Sequence, residues 1–481
     1  MTWQLFPFQL TGARFLARRP AAFLCDEMGL GKSAQAIRAA DLIGAARILV
    51  ICPASIRINW TREFVRFALF PRPAIIADID AGSVVDDEQV VVCGWPNLHQ
   101  HRDRLMARPW DAVIVDEAHN AKSSEAIRTR ALYGEKCDTV GGIASVGEHI
   151  WLLTGTPIPN HAGEIWTHLY ALFRDALRLP GREAGLMTEP IFRHRYCVTA
   201  WKVFGGQRIT VVLNGRNLSD LSRRVQPDML RRKAADVLDL PPLLWAPVVL
   251  DPGDALAAIR MAAADPNFAE LNRALAELDT PDDIEMTDRD TQRLTDAMAL
   301  AGPHLAQLRR VLGLAKVGPV VEYAKDLHLG GVGKLVIFAW HQDVVEEIAR
   351  RLNLAGYRTL VINGTTPLRE RQAAVDAFQT DPKVFGIVGN HLAMGEGWTL
   401  TAANRLLFAE STFTPKDLQQ AAYRIRRIGQ TRSCLAEIAG LAGTLDEAFA
   451  RVQARKGRVI RTILNEETHD DRNASDDRAA S

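Results

Sequence analysis

Short apolar runs rich in β-branched residues alternate with amphipathic stretches through the first half of the chain. Residues 47–52 (RILVIC), 74–77, 89–93 (QVVVC), 112–115 (AVIV) and 150–153 (IWLL) read as strands covered on both faces, because each run is largely apolar instead of alternating. Segments between them, such as 56–67, read as helices. Strand and helix in alternation imply a mostly parallel sheet with helices on both faces. A second set of the same kind comes late, with strands at 334–339 (KLVIFA), 359–362, 386–388 and 405–409 (RLLFA) and helices near 342–354 and 369–379. The pattern predicts two α/β lobes divided somewhere between residues 235 and 315.

The join differs in composition. From 251 to 290 there are eleven acids against three arginines, alanine is frequent and strand formers are few, which predicts helical excursions with a solvated acidic face. The expected organisation is therefore a first lobe at 1–235, a linker and acidic protrusion at 236–315, a second lobe at 316–465, and a polar, disordered tail at 466–481.

Bulk composition narrows the class without naming a function. The 481 residues are 47% hydrophobic and 24% charged, ordinary for a soluble globular protein of several domains. A net charge of +1 leaves nucleic acid neither favoured nor excluded, because opposite patches cancel in the total. Six cysteines form no C-x-x-C pair, so a zinc site and a disulfide framework are both disfavoured and reduced cytosolic thiols are expected. No apolar run reaches the length of a membrane span, and the first ten residues lack a secretory pattern. A cytoplasmic protein without membrane contact is the expectation.

The candidate chemistry starts at 26–33 (DEMGLGKS), after the apolar run 21–25 and before the helix formers of 34–46. Strand, glycine loop and helix in that order make a phosphate cradle. Gly29 and Gly31 let N–H groups, Leu30's included, approach phosphate oxygens, Lys32 supplies charge, and the Ser33 hydroxyl can ligate Mg²⁺. Asp26 stands where the general pattern has a glycine. Asp116 and Glu117 follow the run 112–115; a carboxylate at such a strand end can hold Mg²⁺ and its neighbour can orient and deprotonate water. Alone, D-E-A-H could equally begin a solvated helix. Thr154-Gly155-Thr156 is either a plain turn or a turn that hydrogen-bonds the acidic pair and reports nucleotide state. In 420–430 (QAAYRIRRIGQ), Arg424 and Arg427 are three apart, so a helix would present both to a phosphoryl group, while Arg426 reads better as facing solvent or DNA.

In this order the motifs resemble the Swi/Snf-type family of superfamily-two helicase-like ATPases, most nearly its annealing-helicase branch, over about residues 5–458. Phe8-Gln9 with Gly12 resembles the adenine-reading segment and places Gln9 at the base. DEMGLGKS is this family's form of the phosphate loop. Cys52-Pro53-Ala54-Ser55 with Asn59-Trp60 looks like a DNA-backbone motif, and Arg231-Arg232 with Asp236-Val237 and Leu240-Pro241 resembles the signature leaving lobe one. Thr365, in 362–365, and Gly395-Glu396, in 393–400, belong to stretches that resemble lobe-two motifs. The 420–430 segment, from Gln420, resembles the last arginine motif, although Ala422 and Tyr423 replace its acids and Arg426 its histidine.

The resemblance implies two RecA-like lobes with parallel sheets and helical protrusions, one of them a helical insertion at about 160–225. It implies ATP and Mg²⁺ as cofactors, and catalysis by Lys32, Asp116, Glu117, Arg424 and Arg427. Nucleotide contacts would come from Gln9, Gly29 to Ser33, Gly395 and Glu396, and coupling from Thr154, Thr156 and Gln420. Ser55, Trp60, Arg231, Arg232, Thr365 and Arg426 would touch DNA. The expected activity is ATP-driven translocation on double-stranded or forked DNA by a monomer of bacterial or viral kind, with annealing or fork remodelling as a narrower form. A strand-separating helicase, a silent DNA-binding scaffold and an RNA track are the alternatives.

Overall fold

The computed structural model describes residues 4–70, 76–78, 89–158, 161–179, 185–204, 207–278, 288–390, 394, 398–410 and 415–454. The chain divides into two compact units, Met1–Asp239 and Leu240–Ser481. The boundary lies just past the expected end of lobe one.

In the first unit the strands are β1 (Ala21–Leu24), β2 (Ile48–Cys52), β3 (Ile76–Asp78), β4 (Val90–Gly94), β5 (Trp110–Asp116) and β6 (Gly147–Leu153). β7 (Cys197–Phe204) and β8 (Gln207–Gly215) form a separate antiparallel hairpin, and β9 (Met229–Leu230) returns to the main sheet. Among the described residues that sheet has the order β3-β4-β2-β5-β6-β1-β9, every pair parallel. The strands β1, β2, β4 and β5 and the end of β6 are buried on both faces, so each run sends alternate side chains to opposite cores. Phe23, Leu49, Ile51, Val113, Val115 and Leu152 lie in one apolar cluster, and Leu24, Ile48, Val50, Ala112, Ile114 and Leu153 in the other. Helices α1 (Pro7–Ala17), α2 (Lys32–Leu42) and α3 (Arg57–Phe67) belong to this unit.

The segment 160–225 is not purely helical. Helices Trp166–Leu172, Glu189–Tyr196 and Leu218–Val225 are present, but the β7–β8 hairpin stands between the last two. Its strands are rich in Val, Thr, Ile and aromatic residues, and Gly205-Gly206 separates them in the sequence, which is a hairpin signal.

The second unit has β10 (Leu243–Leu250), β11 (Leu335–Ala339), β12 (Thr359–Ile362), β13 (Gly386–Asn390), β14 (Arg405–Phe408) and β15 (Cys434–Leu441). Their order is β10-β15-β14-β11-β13-β12, again all parallel. β10 falls inside the stretch expected to be linker, yet it pairs along its whole length with β15 as an edge strand. The helices Ala255–Ala263 and Ala269–Leu278 follow, and then one 42-residue helix, Asp288–Leu329, runs through the expected start of lobe two. Its Leu308, Leu312, Val317, Val320 and Ala324 pack in one cluster with Leu335, Ile337 and Leu407. The expected tail at 466–481 lies outside the described residues. No described helix is long and apolar enough to cross a membrane.

Candidate nucleotide site and arginine segment

The phosphate loop leaves β1 and turns into α2 through two left-handed glycines, Gly29 (φ 88°) and Gly31 (φ 70°). Gly31 is the N-cap residue and supplies no side-chain cap, so the first N–H groups of α2, at Lys32 and Ser33, have no side-chain acceptor there. A helix start with open N–H groups and a lysine suits a phosphate. Lys32 Nζ donates to the carbonyls of Asp26 (2.9 Å) and Glu27 (3.4 Å). Gln9 on α1 is buried, and its Nε2 donates to Leu30 O at 3.1 Å. A Cβ on Gly31 would come 2.4 Å from that same nitrogen. Gln9 therefore braces the loop from α1, and Leu30 serves through its carbonyl while its side chain is buried.

Asp26 has its own task. Its carboxylate is fully buried and accepts from Arg232 Nε at 2.9 Å, Arg232 Nη2 at 2.5 Å and Gln35 Nε2 at 3.0 Å. Arg232 also donates to Gln35 Oε1 at 2.7 Å and to the Phe8 carbonyl. This corrects the placement of Arg232 at DNA. Its guanidinium is spent on a buried bidentate pair that ties the residues after β9 to the phosphate loop. Glu27 joins the same tie, accepting from Ala234 N at 2.6 Å while its own N–H donates to Arg232 O at 3.0 Å. Arg231, by contrast, is exposed.

The acidic pair sits at the end of β5. Asp116 Oδ2 accepts from Trp60 Nε1 at 2.8 Å, and its main-chain carbonyl accepts from Trp95 Nε1 at 2.9 Å. Trp60, expected at the DNA backbone, is 1% exposed, so that expectation is corrected too: it is a buried donor to the candidate metal ligand. Burial, then the charge of Glu117, pushes the Asp116 carboxyl above the usual carboxylate range, while the Trp60 hydrogen bond and Lys32 pull it down. Glu117 adopts φ 48°, a left-handed conformation rare for a residue with a side chain and found at sites where the surroundings enforce it.

His119 Nδ1 lies 3.2 Å from Glu117 Oε2 and 3.1 Å from Thr154 Oγ1. Thr154 in turn accepts from Thr156 N at 3.1 Å. The threonine turn thus reaches the acidic pair through His119, not directly. A Cβ on Gly155 would lie 2.9 Å from Met28 and 3.6 Å from Lys32 Nζ, so this turn also touches the phosphate loop. Gln9, Gly29, Leu30, Gly31, Lys32, Asp116, Glu117, Thr154 and Thr156 are brought together, with Ser33 in the first turn of α2. Among the described residues no cluster of three or more His, Cys, Asp or Glu could hold a metal alone. One carboxylate and one hydroxyl suit an oxygen-loving cation that takes its other ligands from phosphates and water, as Mg²⁺ does.

In the second unit the expected helix over 420–430 is shorter. Helix Pro415–Ala422 ends before both arginines, and 423–430 is a series of turns. The reason is competition for main-chain groups. Gln430 Nε2 donates to the carbonyls of Ile425, Ala403 and Thr401 at 3.0, 2.8 and 3.1 Å, and its Oε1 accepts from Thr431 N and Arg432 N. The Arg424 carbonyl accepts from Leu400 N at 2.9 Å. Arg424 is buried, and Arg427 donates to Thr399 Oγ1 at 3.0 Å and Tyr423 O at 3.2 Å. Gln420 is half-buried near the end of the helix. Arg426 Nε donates to Pro241 O at 2.8 Å, which ties this segment to the entry of the chain into the unit instead of leaving it wholly for DNA. Thr365 is exposed, its hydroxyl donating to Asn363 Oδ1 at 2.9 Å, and Ser55 Oγ is buried without a hydrogen-bond partner among the described residues. Gly395 and Glu396 lie outside the described residues.

Sequence reasoning missed Gln35, Glu27, Trp95, His119 as a bridge, and Gln430. His119, Glu27 and Gln430 stood inside motifs, and none of those motifs announces its partner.

A family model for the SNF2-related domain matches residues 8–245, and one for the helicase conserved C-terminal domain matches 320–429. The chain belongs to the SNF2 family. Its two units are the RecA-like lobes of that family of helicase-like ATPases. This SNF2-family chain is 30% identical over 473 residues to "DNA annealing helicase and endonuclease ZRANB3" of Bos taurus, covering 96% of the chain and 41% of that protein. It is 27% identical over 473 residues to the "SWI/SNF-related matrix-associated actin-dependent regulator of chromatin subfamily A-like protein 1 homolog" of Caenorhabditis elegans, covering 95% of the chain and 61% of that protein. It thus spans about four to six tenths of the length of these relatives. Among solved structures, the "Sulfolobus solfataricus SWI2/SNF2 ATPase core in complex with dsDNA" is similar over 95% of this chain and 93% of that one, with 21% identity and a TM-score of 0.42.

Proposed function

We propose that this SNF2-family chain is a DNA-dependent ATPase that moves along double-stranded DNA. The observation that carries the reading is the convergence of Thr154, His119 and Glu117, with His119 Nδ1 3.1 Å from Thr154 Oγ1 and 3.2 Å from Glu117 Oε2, beside an Asp116 held by two tryptophans. A candidate base, a candidate metal ligand and a sensing turn meet at the loop that bears Lys32 and Ser33. In the proposed reaction Lys32 and the N–H groups that open α2 hold the outer phosphates of ATP, and Ser33 and Asp116 ligate the cation. Glu117 orients and deprotonates the attacking water, and Arg424 and Arg427 stabilise the charge that spreads over the transferred phosphoryl group. Bound Mg²⁺ would neutralise part of the phosphate charge.

Arg231 and Thr365, both exposed, remain the proposed backbone contacts, Ser55 is left only its main chain because its hydroxyl is buried, and Arg426 contributes what its tie to Pro241 leaves. Contacts of this kind hold phosphates without reading bases. The buried free cysteines are in keeping with a reducing cytosol. Annealing or fork remodelling is the narrower proposal, supported by the name of the bovine relative.

Steady-state hydrolysis of ATP with and without duplex DNA tests the reading. The rate should rise at least several-fold with duplex, and Lys32→Ala and Glu117→Gln should each remove the stimulated rate. Equal rates with and without DNA would refute it. A displacement assay on tailed duplex separates translocation from strand separation, and ATP-dependent reannealing of forked DNA tests the narrower form.

A further inference from the structure

The hairpin β7–β8 carries an aromatic residue where solvent, not a core, surrounds it. Trp201 is 72% exposed, while Trp60, Trp110 and Trp151 are fully buried. The register sets what shares its face. Trp201 pairs with Thr210 and Thr199 with Val212, so these residues stand on one side of the ribbon together with Arg208, two residues before Thr210. Thr199, Trp201, Arg208 and Thr210 are all exposed. Arg208 is the diagonal neighbour of Trp201, a separation of roughly 7–8 Å that a long side chain spans.

The root of the hairpin is fixed. Cys197 is buried in the first core, Val212 packs against it, and Arg216 N donates to Tyr196 O at 3.0 Å. Tyr196 Oη donates to Asp220 at 2.7 Å, and a Cβ on Gly215 would lie 2.8 Å from Leu218. The register shifts between Val198 and Thr199, within this root. Such an irregularity turns the strands and re-aims the face beyond it. An isolated two-stranded ribbon is only marginally stable, so its projection with a bare indole is not explained by the fold of the first unit.

Charge selects the occupant. Residues 190–216 contain Arg193, Arg195, Lys202, Arg208 and Arg216 and no aspartate or glutamate. Arg193 and Arg195 pair with acids outside that stretch, Glu189 and Asp220, whereas Arg208 and Arg216 are exposed. An indole face beside an arginine on an acid-free basic arm has the composition of a platform for an unpaired base, with the cation beside the neighbouring phosphate.

We propose that this face is a second nucleic-acid element, in which Trp201 stacks on an unpaired base and Arg208 meets the adjoining phosphate. It recognises single-stranded character next to the duplex that the lobes track, and so rests on the duplex-motor reading above. The test is fluorescence anisotropy of the full-length protein with a forked DNA carrying single-stranded arms and with the matching blunt duplex, at one salt concentration. Trp201→Ala should weaken fork binding by about 5- to 150-fold, the range for loss of one stacked base, and leave duplex affinity and duplex-stimulated hydrolysis unchanged. Trp201→Phe should keep most of the fork affinity, and Arg208→Ala should lower it with a shallower salt dependence. Unchanged fork affinity in Trp201→Ala, or an equal loss on fork and duplex, overturns the proposal. A wild-type dimer that Trp201→Ala abolishes would assign the face to a second copy and also overturn it. Failure of duplex to stimulate the wild-type enzyme would instead remove the motor reading itself.

Discussion

The carboxylate of Asp116 is placed where ionisation is costly and then given a specific donor to offset that cost. Burial and the neighbouring Glu117 charge raise its affinity for a proton, and the indole N–H of Trp60 favours the ionised form that a cation needs. Trp60→Phe keeps an aromatic ring in α3 but removes the donor. The carboxyl should then hold its proton to higher pH, so a divalent ion must compete harder for the site. The expected outcome is a several-fold rise in the Mg²⁺ concentration that half-saturates ATP binding at neutral pH, shrinking at higher pH, with a stability loss of about 1–3 kcal/mol from the unsatisfied acceptor. Calorimetric titration of ATP across a Mg²⁺ series, with thermal melts, measures both; superimposable Mg²⁺ curves would remove this role. The sequence made Asp116 legible because a carboxylate ends an apolar strand. It left Trp60 misassigned, because its partner lies 56 residues away and only folding brings the indole to it. Arg232 was misread for the same reason, since one residue along from the exposed Arg231 nothing local marks a buried ion pair.

At the scale of elements, the phosphate loop is held by three neighbours at once, and Gly12 is where they leave no room. A Cβ at Gly12 on α1 would fall 1.8 Å from Gln35 Oε1 on α2 and 2.8 Å from Arg232 Nη2 beyond β9. Two effects oppose each other in Gly12→Ala. Alanine favours the helix by about 1 kcal/mol over glycine. Against that, Gln35 must swing away and surrender its bonds to Asp26 and Arg232, and a buried ion pair loses part of its shell. The second effect should win, giving a net destabilisation on the order of 1–3 kcal/mol and weaker ATP binding. Denaturant unfolding with a nucleotide titration checks it, and a stabilised variant would mean that the network is slack. The arginine segment teaches the complementary lesson. Its three-residue spacing suggested a helix, but periodicity cannot reveal that the Arg424 and Ile425 carbonyls will be taken by Leu400 N and the Gln430 side chain, outside any helical ladder. The β7–β8 hairpin, by contrast, had a readable signal in Gly205-Gly206 between two β-rich runs; the family expectation of a helical insertion overrode it.

For the whole molecule, the two-sheet plan was readable because parallel strands buried on both faces must be written as apolar runs, and nearly every such run became a strand. The missed members are β9, β10 and β15: β9 is two residues long, the β10 run carries a proline and leaves Leu244 and Val249 exposed, and β15 is interrupted by Glu437. The same division separates the chemistry: Lys32, Ser33, Asp116 and Glu117 belong to the first unit, and Arg424 and Arg427 to the second. If the proposed hydrolysis needs both sets, removing one guanidinium should separate binding from turnover. Arg427→Ala should bind ATP as the wild type does, since every nucleotide-bracing contact described lies in the first unit, yet lose about 10³-fold or more of the duplex-stimulated rate. Arg427→Lys should not restore it, because a point charge lacks the planar donor fork. Arg427 is anchored to Thr399, so Thr399→Val serves as the control that loosens the anchor and keeps the guanidinium. Its rate should fall far less than that of Arg427→Ala. Near-normal stimulated turnover in Arg427→Ala would remove this arginine from the reaction, and an equal loss in Thr399→Val would make its contribution one of local structure.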